Sequence, residues 1–131
     1  MITRVYGDDA GETHLETVAL AELGPVPDRT PSVGITDVPV TTLAVSESLV
    51  RRPAWDVHPP PRRQLLVVLR GAFEVATTDG DRARIEAGGC LLVDDVGTAG
   101  HSFADVGDER LVTVQVGIEP GWRWPPGEIH A

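Results

Sequence analysis

Turn-forming residues break this chain at such short intervals that long helices are excluded. Fourteen glycines and 11 prolines are spread over 131 residues; each proline lacks a backbone donor, and each glycine raises the entropic cost of regular structure. Between these breaks lie short runs rich in aliphatic and β-branched residues. The candidate strands are Pro39 to Val45, Arg62 to Leu69, Ala72 to Thr77, Arg82 to Ile85, Cys90 to Val93, His101 to Ala104 and Leu111 to Ile118. Asp79-Gly80, Ala87-Gly88-Gly89 and Val106-Gly107-Asp108 separate them as turns. Short strands without intervening helices predict an all-β sandwich or closed barrel rather than a parallel α/β sheet.

The N-terminal region admits two readings. Thr13 and Glu16 have capping-box spacing and Leu15, Val18 and Ala19 share a helical face, which predicts a helix from Thr13 to Leu23; an edge strand through Leu15 to Leu20 satisfies the same residues. One domain is expected, since 131 residues with 41% hydrophobic content suffice for a single core. Residues 1–38 are read as an arm and edge strands, 39–118 as the barrel and 119–131 as a tail. That tail carries Trp122 and Trp124 among prolines and glycines.

Composition narrows the function classes. The net charge of −9 repels a phosphate backbone, so nucleic acid is not an expected partner. All 11 basic residues are arginine, which excludes Schiff-base chemistry at a lysine. Cys90 is the single cysteine; it rules out an internal disulfide and, set in an apolar run, reads as an inert buried thiol. No segment approaches the roughly 20 apolar residues of a membrane span, and the first residues turn acidic too early for a signal peptide. A cytoplasmic protein without a membrane partner is the expectation.

The chemistry-bearing residues cluster from Trp55 to His101. Gln64 is followed by six residues and Gly71, and is preceded by His58-Pro59-Pro60-Pro61-Arg62-Arg63. Further on, the glycine turn Gly88-Gly89 leads through Cys90-Leu91-Leu92-Val93 and a second turn, Asp94 to Gly100, to His101. These two stretches resemble the paired motifs of the cupin family. The resemblance implies a cupin-type β-barrel, also described as a double-stranded β-helix or jelly roll, that holds a small molecule. It also implies metal-ligand positions at His58, Gln64 and His101. Pro60 stands where the family has a second histidine, Gln64 where it has an acid, and Asp95 where a proline is usual; the turn is one residue longer than the usual pattern.

Three functions follow as alternatives. His58 and His101 would act as acid and base, with Gln64 orienting the substrate, in a metal-independent or weakly metal-binding isomerase, lyase or cyclase acting on a small oxygenated molecule. The same three residues would hold a divalent ion in a metal-dependent oxygenase or lyase. A non-catalytic small-molecule binding module is the third. The cofactor is accordingly either none or a divalent metal ion.

Strand parity adds detail. Arg62, Gln64, Leu66 and Val68 share one face, expected to look into the barrel, and Arg63 points away. Trp55, Arg62, Leu66, Val68 and Phe103 are the expected substrate-binding wall, with Arg62 suited to a carboxylate or enolate at the pocket mouth or else to a surface salt bridge. Asp94 and Asp95 read as a solvated acidic pair in a turn. Leu65, Val67 and Leu69 make the other face of their strand apolar as well, and with the tail tryptophans they predict a homodimer.

Overall fold

The computed structural model describes residues 2–18, 38–49, 60 and 62–122. Trp55, His58 and Trp124 lie outside the described residues. Among the described residues nine strands are formed: β1 (Ile2–Gly7), β2 (Thr13–Val18), β3 (Val40–Glu47), β4 (Gln64–Arg70), β5 (Ala72–Thr77), β6 (Arg82–Glu86), β7 (Cys90–Asp94), β8 (His101–Val106) and β9 (Val112–Ile118). No helix occurs among the described residues, and none is long and apolar enough to cross a membrane.

The strands form two sheets. One has six strands in the order β2-β1-β7-β4-β9-β3, and the other three in the order β6-β5-β8. The expected barrel is therefore a sandwich of unequal sheets that do not join into one closed sheet. The pairings are antiparallel except for β1 with β7, which is parallel. That pairing places β1 inside the large sheet, so that among the described residues of 1–38 β2 is the edge strand and β1 is not.

Of the two readings at Thr13 the structure forms the edge strand, as β2, and not the helix. Thr13 Oγ1 donates to the carbonyl of Gly100, and its backbone N–H donates to Thr78 Oγ1. Glu16 accepts from Arg4 Nη1 at 2.7 Å, across the β1–β2 ladder where the two residues are in register. Both residues of the apparent capping box serve strand pairing.

The core lies between the sheets. Val5, Leu66, Val68, Leu91 and Val93 of the large sheet meet Phe73, Val75 and Ile85 of the small one, with Leu15, Ala83, Phe103 and Leu111 packed against them. Burying each large aliphatic or aromatic side chain contributes roughly 1.5–3 kcal/mol. Parity on β4 is as expected: Leu66 and Val68 look inward, whereas Leu69 is 56% exposed. Leu43 and Val45 on edge strand β3 are exposed too. Gly71, seven residues after Gln64, adopts φ +77° in the β4–β5 turn, and a Cβ there would lie 2.9 Å from the Arg110 carbonyl oxygen. The turn thus requires glycine.

Arg63 points away from the core, as expected. Its Nε donates to Asp94 Oδ1 at 2.5 Å, its Nη1 donates to the Trp122 carbonyl, and its guanidinium lies 5.5 Å from the Trp122 ring centroid. Asp94 Oδ2 also accepts from Arg4 Nε and Nη2. Trp122 is therefore in contact with Arg63 of its own chain.

Candidate functional site

Strand direction brings the candidate residues to one end of the sandwich. Gln64 opens β4 opposite Val93 near the end of β7 and opposite Gly117 near the end of β9. From Asp94 the chain passes through residues 95–100 into His101, the first residue of β8. His101 pairs with Thr77 at the end of β5. Gln64 and His101 thus share an end, and both belong to inward rows: Gln64 with Leu66 and Val68, His101 with Phe103. His58 lies outside the described residues.

His101 is 3% exposed and Asp95 is completely buried. The two are joined by a 2.5 Å hydrogen bond between His101 Nδ1 and Asp95 Oδ2. With a carboxylate as acceptor, Nδ1 carries the proton and Nε2 is the nitrogen with the free lone pair. The imidazole also packs on Phe103, with centroids 4.5 Å apart, and Phe103 meets Phe73 edge-on at 5.0 Å. A carboxylate on one side and an aromatic face on the other fix the ring. Asp95 Oδ1 is buried without a hydrogen-bond partner among the described residues.

This corrects the reading of Asp94 and Asp95 as a solvated pair. Asp94 ends β7 between two arginines, and Asp95 is sealed beneath the turn as the partner of His101. Sequence reasoning noted Asp95 as a departure from proline and as a solvated turn residue, not as a partner of His101. The signal available was an acid six residues before a candidate histidine, across a turn.

The inner face of the large sheet is divided. Its β1-β7-β4 portion is the apolar core, and its β9-β3 edge is polar. Gln115 and Thr113 on β9 face Ala44 and Ser46 on β3. Ser46 Oγ lies 2.9 Å from Thr113 Oγ1, and Gln115 Nε2 donates to Ser46 Oγ at 3.1 Å. Gln64 is half-buried, and no hydrogen bond to its side chain is formed among the described residues. Leu66 and Val68, expected to line a ligand wall, are packed inside the core cluster and form the floor beneath this polar edge. Arg62 is exposed and pairs with no carboxylate among the described residues, so the salt bridge considered for it is not formed there.

Among the described residues the expected ligand set is incomplete. Gln64 supplies a neutral oxygen, which holds a divalent ion more weakly than a carboxylate does. The described donors are His101 Nε2 and Gln64 Oε1, too few for the usual coordination number. His14, the remaining described histidine, supplies no third donor here. It lies on the row opposite Leu15, with Nε2 2.7 Å from Asp8 Oδ2 and Nδ1 2.8 Å from Asp79 Oδ2. These carboxylates raise its pKa, the hydrogen bond to Asp8 contributing most. Burial raises the pKa of the Cys90 thiol, in keeping with an inert role.

No protein-family model matches the chain, and no curated protein matches it. Two solved structures are similar in outline. A conserved protein of unknown function from Streptococcus pyogenes aligns at 16% identity and a TM-score of 0.43, covering 62% of this chain and 77% of that one. The dTDP-4-dehydrorhamnose 3,5-epimerase of Bacillus anthracis, solved with TDP and PPi bound, aligns at 19% identity and a TM-score of 0.41, covering 90% of this chain and 70% of that one.

Proposed function

We propose that this chain is a cupin-type small-molecule enzyme that moves a proton on an oxygenated substrate, as an isomerase, lyase or cyclase does. The observation that carries this reading is the sealed Asp95–His101 pair on an inward row. A carboxylate that orients an imidazole is the arrangement a general base needs. In this reading His101 Nε2 takes a proton from a carbon next to a carbonyl, and the C–H electron pair moves onto the carbonyl oxygen. The Gln64 amide N–H stabilises that oxygen. The imidazolium returns the proton at the same or another atom, or a β-leaving group departs. His58 is the second acid–base candidate.

Exchange of substrate C–H for deuterium tests the first step without requiring the overall reaction. The protein is incubated in D₂O with small oxo acids, lactones and hydroxy ketones, and loss of the α-proton signal is followed by NMR. Exchange is expected with at least one class and should fall about 10²–10⁴-fold in His101→Gln. No exchange with any class, or equal exchange in the variant, would remove the proton-transfer reading and leave a binding module.

A further inference from the structure

We propose that Arg62, Thr41 and Thr42 form a subsite for the carboxylate end of a small organic acid, at the mouth of the polar edge beside Gln64. The proposal rests on the preceding reading only in taking this end of the sandwich as the ligand-binding end. Its basis is a convergence of polar groups around Gly117. The β3–β9 register shifts between Val40 and Thr42, with Val40 opposite Ile118 and Thr42 opposite Gly117. Thr41 is the extra residue, and a bulge of this kind re-aims side chains. Both hydroxyls come to the same place: a Cβ on Gly117 would lie 2.4 Å from Thr42 Oγ1 and 2.9 Å from Thr41 Oγ1. The same point is 3.5 Å from Arg62 Cζ.

Two hydroxyls and a guanidinium therefore come together over the bare Cα of Gly117, filling the place a Cβ would take. None of the three spends its donors on a hydrogen bond or ion pair among the described residues. Gly117 is required by this crowding, and its backbone is not in a left-handed conformation. Gln64, directly opposite Gly117 on β4, is the next polar group inward.

The chemistry selects the ligand class. A guanidinium fork matches the two oxygens of a carboxylate, and hydroxyl donors complete the shell. A single arginine offsets a single negative charge. A phosphate dianion would keep uncompensated charge on a chain of net charge −9. A monocarboxylate is therefore favoured over a phosphoryl group.

The test is a ¹H–¹⁵N NMR titration of the full chain with acetate, acetamide and inorganic phosphate at constant ionic strength. Acetate is expected to shift the Arg62 Nε–H and Gly117 amide signals along a saturable curve. Acetamide should leave them in place, and phosphate should bind more weakly than acetate. In Arg62→Gln, an exposed substitution whose fold the same spectrum reports, acetate affinity should fall at least about tenfold. Arg62→Lys should retain part of it. Unshifted signals, equal shifts with acetamide, or unchanged acetate affinity in Arg62→Gln would overturn the subsite, and tighter binding of phosphate would overturn the carboxylate assignment. His101 takes no part in this readout. Acetate binding without deuterium exchange would leave the subsite standing and remove proton transfer, and the reverse result would do the opposite.

Discussion

Two histidines sit on either side of one hydrogen bond, and their surroundings differ sharply. Thr13 Oγ1 donates to the Gly100 carbonyl, and the residues that follow are His14 and His101. Each imidazole has a carboxylate on Nδ1, Asp79 at 2.8 Å for His14 and Asp95 at 2.5 Å for His101. His101 and Asp95 are sealed from water, whereas the side chain of His14 is 27% exposed and Asp8 occupies its second nitrogen. Burial of the first pair fixes orientation and leaves Nε2 without a carboxylate. Exposure of the second makes it a clasp between the β1–β2 and β5–β6 turns, with both nitrogens occupied. The same two residue types thus give a candidate reactive group in one place and a pH-dependent tie in the other.

The largest expected effect comes from opening the sealed pair. Asp95→Ala leaves a buried imidazole without its partner and should lower stability by about 3 kcal/mol, read from urea unfolding. Asp95→Asn keeps the shape and one hydrogen-bonding oxygen, and should cost less than half as much. A loss below about 0.5 kcal/mol in Asp95→Ala would mean that water reaches the pair, and the contrast with His14 would disappear.

A smaller effect, with a distinctive pH dependence, is expected at the clasp. The folded-state pKa of His14 is raised, so its contribution is complete below the unfolded value of 6.5 and is lost as pH rises through the folded value. Asp8 and Asp79 have lowered pKa values, Asp8 chiefly through the hydrogen bond to His14 and Asp79 chiefly through that from Thr77. Their contributions are complete above the unfolded value of 3.8 and are lost as pH falls through the folded values. The clasp is therefore strongest between about pH 4 and 6.5. Thermal melts of the native protein and His14→Gln should differ most in that window and converge at alkaline pH, once His14 has lost its proton. A difference independent of pH would show that His14 acts by packing on Tyr6, whose ring centroid is 5.5 Å away.

The sequence made the central strands legible because local signals agreed there. In β4 to β7, period-two hydrophobicity, turn glycines and motif spacing all indicated strands, and the inward row of Leu66 and Val68 followed from parity alone. β1 was missed because it carries few core residues, Val5 alone being fully buried, and β2 was left between helix and edge strand because Thr13 with Glu16 imitates a helix start. At the candidate site, His101 and Gln64 were legible from spacing. Asp95, Thr41, Thr42 and Gly117 were not. The role of Asp95 depends on how a six-residue turn closes over it, and the convergence on Gly117 depends on a register shift between two distant strands. Neither leaves a local pattern in the sequence.

The smallest expected effect separates the two carboxylates of the clasp. The hydrogen bond from His14 Nε2 to Asp8 is the largest influence raising the His14 pKa, and the bond to Asp79 is secondary. Asp79 is already engaged elsewhere, accepting from Thr77 Oγ1 at 2.6 Å and from the Asp81 backbone N–H at 3.0 Å. Asp8 accepts from the backbone N–H groups of Ala10 and Glu12 through Oδ1, leaving Oδ2 to His14. Asp8→Asn should therefore lower the His14 pKa, followed by NMR of its ring protons, by more than Asp79→Asn does, and both variants should leave the His101 ring signals unmoved. Equal decreases would make the clasp symmetric. A shift of the His101 signals in either variant would show that the two histidines are coupled through Thr13 and Gly100, and the division between a tie and a sealed pair would no longer hold.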